Sequence, residues 1–584
     1  MKNIRILSGI LIFTGLIFIN SCKQSFLEIT PNGSLDQSVL ATYKGVDGLL
    51  IGAYSMLDGV AAGFGWQSAT SGWVYGSIRA IEANKGTDAG DQPDINPIQT
   101  FSETSTNPYL NVKWRAVYEG IARCNSTILT ANKAKESGAI TEDEYNWFIA
   151  QARALRGYYH LEAWRLWADR GSGRFVPYVD ENTDPATVTN TEDVRDKIIE
   201  DLLAGTKLPN NMEQVGRFNK TVSEVFLAKA YMQMYNDYTS ALPLLADAEA
   251  NGTNPAGQKA QLDPLYGEIF DIEKRNGVES IYTVQYSVND GSGGWNGGWG
   301  EVLNFPYKSG GSPGGCCGFF QPTQDFVNSF RTDANGLPYL DNSYNDEIVN
   351  NDQGLTPDDP FTEYTGRLDP RLDWSVGRRG IPFWDWGEMT GSDWIRDQSY
   401  AGPYVGKKQV YKKSQEGTYT EVGNWTSGWT ANGYRMIRYA DVLLLKAECE
   451  AMLGADDRGM GEVNAIRARA ANPDGFVKEA DGTTPAANYV IGLYPASQFA
   501  TQEDAMTAIK FERRLELGLE GHRYYDLQRW DEVVSELSRI LAYEKTMPWG
   551  SALYGNAQVG PEDVNFPVPQ RQIDLSNGNL VQNR

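Results

Sequence analysis

AIKFERRLELGLEGHRYYDLQRW, Ala508 to Trp530, opens with a helical period. Ala505, Ala508, Ile509, Glu512, Leu515, Glu516 and Leu519 recur at three- and four-residue spacing and share one face. That face is apolar except for two carboxylates. A buried carboxylate without a partner is costly, so Glu512 and Glu516 are expected to meet cations or backbone donors. The nearest cations in sequence are Arg513, Arg514, Arg523 and Arg529. Gly521 stands where a left-handed helix cap belongs, and Tyr524, Asp526, Leu527 and Trp530 begin a second short amphipathic segment. Physically this is a helix–cap–helix packing device rather than a catalytic motif.

The same residues carry a resemblance. Glu512, Arg513, Arg514, Glu516, Leu517, Glu520, Gly521, His522, Arg523, Asp526, Leu527, Arg529 and Trp530 fit a long, specific signature of SusD/RagB-like proteins. Those are surface lipoproteins that capture nutrients for an outer-membrane transporter. The resemblance extends to Arg438–Glu448, to Gly461–Ala470 with Asn464, Ile466, Arg467 and Arg469, and to the tail from Phe566 to Asn583. In that tail Gln572 and Gly578 replace the usual Glu and Pro.

Helical spacing also marks Leu40–Leu57, Tyr109–Ala134, Tyr145–Trp167 and Val194–Leu208. Val222–Ala250 alternates small and aromatic residues around a turn at Asn236-Asp237, as in a tetratricopeptide-type helix pair. Helices early and late in the chain are therefore expected to stack in one layer, with Arg467 and Arg469 pairing with helix carboxylates. The expected fold is mainly α, a tetratricopeptide-type helix-pair scaffold with a long loop-rich insertion carrying short strands. Residues 22–262 form the N-terminal helical region, 263–434 the loop-rich ligand-facing region and 435–584 the C-terminal region packed on the scaffold. In the insertion Ser280–Val288 alternates like a strand, and the runs GSGGWNGGWG and SGGSPGGCCGFF are too rich in glycine for helix.

The chain has 584 residues, a net charge of −23 and a pI near 4.7, which argues against nucleic acid and against docking on anionic lipid. Residues 1–21 read as a signal peptide: Lys2 and Arg5, then an apolar run from Ile6 to Ile19. Cys22 closes a lipoprotein-type site and is the expected lipidated residue. Cys124 and Cys449 lie in helical patterns and read as buried thiols. Adjacent Cys316 and Cys317 read as unpaired thiols in preference to a vicinal disulfide.

Trp66, Trp73 and Tyr75 in an early loop, and Trp295 and Trp299 in the first glycine-rich run, lack periodic apolar partners and are the expected glycan-binding residues. Flat rings cover the C–H faces of sugars, each stack contributing about 1 kcal/mol. Trp384, Trp386 and Trp394 read as staples of their own loop, and Trp425 and Trp429 form a further aromatic pair.

No enzyme motif is convincing. His160 and His522 sit in helical patterns, and Gly310–Gly314 spells G-x-S-x-G without strand or helix around it. Asp88, Asp91 and Asp94, and Asp333 with Asn335, read as turns rather than metal sites, so no metal or cofactor is expected. The resemblance implies a non-catalytic, lipid-anchored protein on the outside of the outer membrane. It would bind oligo- or polysaccharide and hand it to a SusC-type TonB-dependent transporter. Capture of peptides by the same kind of protein is the alternative.

Overall fold

The computed structural model describes residues 37–59, 63–169, 171–307, 311–423, 426 and 428–584. The expected leader and Cys22 lie outside the described residues. The fold is mainly α. Its principal helices are α1 (Tyr43–Tyr54), α2 (Pro108–Glu136), α3 (Glu142–Trp167), α4 (Arg195–Gly205), α5 (Lys220–Tyr235), α6 (Tyr238–Asn251), α7 (Tyr439–Leu453), α8 (Met460–Ala470), α9 (Gln502–Leu517), α10 (Arg523–Arg529) and α11 (Val533–Glu544). Local chemistry sets their ends. Thr141 and Glu144 form a reciprocal capping box at the start of α3. Asn236 takes a left-handed conformation after α5, and the Asp237 side chain caps α6 by accepting from the Ser240 amide.

The helices stack in a continuous series. α2 packs on α3, α3 on α4, α4 on α5 and α5 on α6. α6 then packs on α7, which in turn meets α8 and α9, so early and late helices share one layer. Small residues allow the close approach: a Cβ on Gly120 of α2 would fall 2.6 Å from the Tyr159 ring of α3.

Between residues 263 and 434 no described helical segment exceeds 5 residues. Short antiparallel ladders stitch this region to the rest. β1 (Ala83–Gly86) pairs with β3 (Phe319–Pro322), and β2 (Ser280–Thr283) pairs with β8 (Arg435–Arg438). β4 (Val376–Gly377) pairs with β5 (Val405–Gly406), and β6 (Thr420–Glu421) with β7 (Trp429–Thr430). The expected strand over Ser280–Val288 is only its first half: the ladder ends at Thr283, with one further backbone bond from the Val284 amide to the Tyr434 carbonyl at 2.8 Å. Trp384, Trp386 and Trp394 pack into a local core with Phe305, Phe383 and Tyr411.

One expectation is corrected here. Cys316 and Cys317 are bonded to each other rather than free. Gly314, Gly315 and Gly318 all have positive φ and wind the chain tightly around the pair, a local geometry that residue types alone did not reveal. Cys124 and Cys449 are free and buried.

The organising stretch behaves as expected on its own helix and differently in its partners. Every residue of the expected face is buried, Glu512 and Glu516 completely. Neither carboxylate meets Arg513, Arg514, Arg523 or Arg529. Glu512 accepts from Arg371 at 2.6 Å and Arg467 at 2.9 Å. Glu516 accepts from Arg469 at 2.5 Å, Arg371 at 3.0 Å and Arg438 at 3.1 Å. The physical reason is helical geometry. Neighbours one and two residues away leave α9 on other faces, so only distant segments can supply cations to the buried one. Arg513 instead binds Asp441 and Asp526, Arg514 binds Asp325, and Arg529 binds Glu448 and Asp526. Burial opposes the charge on Glu516, but Arg469, Arg438 and Arg371 hold its carboxyl well below the usual range.

The cap also differs in detail. α9 ends at Leu517, and Gly521 lies four residues on with φ of 80°. Its role is close approach: the Gly521 amide donates to the Ser77 hydroxyl at 3.0 Å, and a Cβ on Gly76 would fall 2.6 Å from the Gly521 carbonyl carbon. The signature thereby seats the early loop.

Candidate functional site

Glycine-rich segments bring rings together at one edge of the insertion. Phe64 and Trp66 stack nearly parallel, with centroids 4.5 Å apart and planes 4° apart. Trp66 stacks on Trp299 at 5.8 Å, Trp299 on Trp295 at 5.0 Å, and Trp429 tilts against Trp299 at 5.3 Å. The outer members are open to solvent, Trp295 at 55% and Phe64 at 50% exposure, whereas Trp66, Trp299 and Trp429 are buried behind them. The result is an aromatic shelf with a rigid backing.

Local sequence explains the closeness. Gly294 has φ of 86°, and a Cβ there would overlap the Trp429 ring. The Trp299 indole donates to the Gly294 carbonyl at 2.9 Å, and the Gly298 amide donates to the Thr430 carbonyl at 2.9 Å. Polar groups rim Trp295. Asp290 accepts from Ser287 at 2.5 Å, from Asn296 at 2.8 Å and from the Ser292 amide at 2.9 Å. The hydrogen bonds from Ser287, Asn296 and Ser292 hold its carboxyl below the usual range.

Trp66, Trp295 and Trp299, expected together from sequence, are thus in one stack. Trp73 and Tyr75 are not. Trp73 is 4% exposed and meets Phe319 and Phe320 edge-on; the Tyr75 hydroxyl donates to the Gln67 and Tyr109 carbonyls. Their segment, Trp73–Ile78, is the part of the early loop that Gly521 holds inward. Phe64 was missed, although it stands in the run Gly63-Phe64-Gly65-Trp66, where flanking glycines signal a ring free of helical packing. Trp425 lies outside the described residues.

Asp88, Asp91, His160 and Ser312 have partners within the fold. Asp88 and Asp91 both pair with Arg396, and no cluster of metal-ligand type occurs among the described residues. Burial pushes the His160 imidazole down to about 3 and that of His522 to about 4. The Ser312 hydroxyl donates to the Tyr307 carbonyl.

The sequence model of the SusD family matches residues 278–584, more than half of the chain. The chain belongs to the SusD family. A second model, described as starch-binding associating with outer membrane, matches residues 26–232 of this SusD-family chain. SusD-like protein P2 of Formosa agariphila is 23% identical over 96% of this chain and 96% of its own length. SusD-like protein P38 of the same organism is 25% identical, covering 92% of this chain and 93% of its own. Among solved structures, surface glycan-binding protein A from Bacteroides fluxus superposes with a TM-score of 0.64 at 20% identity, covering 92% of this chain and 98% of that one. Surface glycan-binding protein A from Bacteroides thetaiotaomicron, in complex with laminarihexaose, gives 0.61 at 20% identity, covering 92% and 99%. At such identities these structures establish the SusD fold.

Proposed function

We propose that this chain is a non-catalytic surface lipoprotein that captures oligo- or polysaccharide on the Phe64–Trp66–Trp299–Trp295 shelf. In this reading Cys22 carries the lipid that holds it to the outside of the outer membrane. The chain passes its glycan to a SusC-type TonB-dependent transporter. The observation that carries the reading is the exposure of Trp295 and Phe64 on top of buried, stacked indoles. An exposed flat ring with fixed backing binds the C–H face of a pyranose with little loss of side-chain freedom. Asn296 and Asp290 stand beside it to meet hydroxyls. The family match and the laminarihexaose complex of a fold neighbour support a saccharide ligand. Trp73 and Tyr75, being interior, are not part of this shelf.

The test is calorimetry and affinity electrophoresis against a glycan panel that includes laminarihexaose. Removing the outer ring in Trp295→Ala should forfeit about 1–1.5 kcal/mol, roughly a tenfold loss of affinity, with an unchanged melting temperature. Undiminished affinity in that variant would overturn the shelf. If no glycan binds and peptides copurify with the native transporter complex, the ligand class is peptide instead.

A further inference from the structure

Behind the shelf lies a cavity of about 70 Å³, room for roughly five water molecules. Gly298 and Thr430 line it, and each is the chain neighbour of a shelf indole, Trp299 and Trp429 respectively. Three of its wall residues, Glu301, Gln409 and Tyr434, are only partly buried.

Several residues that line this space carry buried polar atoms without partners among the described residues. Asn304 is 1% exposed, yet neither its side-chain Oδ1 nor Nδ2 has a hydrogen-bond partner among the described residues. Trp73 is 4% exposed and its Nε1 likewise has no partner among the described residues, nor does Nε of Arg435. Buried donors and acceptors left unmet are costly, and cavities that keep them are filled by polar molecules. A neutral one is compatible with the charges present, because the Arg435 guanidinium already donates to the Asn432 side chain and to the Gly433 and Asp271 carbonyls and can offer its Nε to a hydroxyl. Lys408 is already paired with Glu520 at 2.7 Å, so it offers no free cation to an anion. Burial pushes the Glu301 carboxyl up to about 7, a rise eased by the Ser71 hydroxyl beside it, so near neutrality this group both donates and accepts.

We propose that this cavity is a polyol subsite that takes the hydroxyl-bearing edge of one sugar residue, with Asn304 and Trp73 as its recognition groups. A hydroxyl donates and accepts at once. Adjacent hydroxyls on one sugar edge therefore match an amide that needs both roles, an indole N–H that needs an acceptor, and Glu301. Trp73, withdrawn from the shelf by its burial, acquires a ligand role from the inside. The inference rests on the saccharide reading only in the identity of the molecule supplied.

The experiment is crystallography of the full chain soaked in D-glucose and, separately, in glycerol, together with calorimetric titration of D-glucose. The expected result is a hydroxylated carbon fragment hydrogen-bonded to the Asn304 amide and Trp73 Nε1. D-glucose affinity should fall at least tenfold in Asn304→Leu and stay unchanged in Glu416→Gln, an exposed residue outside both sites. Ordered water alone in the cavity after both soaks overturns the proposal, as does unchanged D-glucose binding in Asn304→Leu. The wild-type soaks decide the question even if that variant does not fold. Failure of the shelf is seen separately, as undiminished oligosaccharide affinity in Trp295→Ala.

Discussion

Replacing Glu516 by glutamine isolates the charge that ties the insertion to the helical layer. Around α9 the carboxylates Asp369, Glu279, Glu512, Glu516 and Glu520 face the cations Arg371, Lys408, Arg438, Arg467 and Arg469, five against five. Glu516 sits among Arg469, Arg371 and Arg438 with no solvent exposure. Glutamine preserves its shape and one acceptor oxygen but leaves one buried cation uncompensated. Breaking a buried pair from one side costs about 3–5 kcal/mol. Unfolding entropy of about 2.1 cal/mol/K per residue makes that a fall in Tm of roughly 2–4 °C for a chain of this size. Differential scanning calorimetry measures it, with the exposed Glu416→Gln as a control that should not move. Adding Arg469→Met restores the charge balance, so the double variant should lose less than the sum of the two single ones, by about 1 kcal/mol or more. A Glu516→Gln protein that melts within about 1 °C of wild type would refute the reasoning, because the network would then contribute no more than surface charges do.

Two further expectations follow from the packing. Burial pushes the Glu544 carboxyl up to about 8, against an ordinary value of 4.5 in the unfolded chain. Its folded pKa is the higher one, so its contribution to stability is complete below pH 4.5 and is lost as pH rises towards 8, by at most about 1.4 kcal/mol per pH unit. Glu544→Gln, which keeps an acceptor for the Asp325 amide, should therefore lose roughly 3 °C less Tm than wild type between pH 5 and 8; parallel Tm–pH curves would contradict this. Gly76→Ala places a methyl against the Gly521 backbone, a contact that neither side can yield cheaply. It should destabilise by about 1–3 kcal/mol and weaken glycan binding by disturbing the loop that carries Trp66, as scanning calorimetry and titration of the same variant would show.

How much was legible in advance depended on the range of the interaction involved. The helices followed from three-four spacing and caps, and the α5–α6 turn at Asn236-Asp237 was readable to the residue. The glycine-rich runs marked irregular chain, and the stacking of Trp66, Trp295 and Trp299 fell within them. The ion network was readable only in part. That Arg467 and Arg469 would meet helix carboxylates was evident, but Arg371 and Arg438 as partners of Glu516 were not.

By itself, then, the sequence determined which segments are helical, that two carboxylates on α9 are interior and must be neutralised, and that indoles cluster where glycine prevents regular structure. These follow from forces acting within a few residues of the chain. Only the tertiary structure decided which cations reach those carboxylates, that Trp73 and Tyr75 turn inward while Phe64 and Trp295 face the medium, and that Cys316 and Cys317 are bonded. Ring exposure and the pairing of buried charges depend on segments hundreds of residues apart arriving at one place, and no local pattern carries that information.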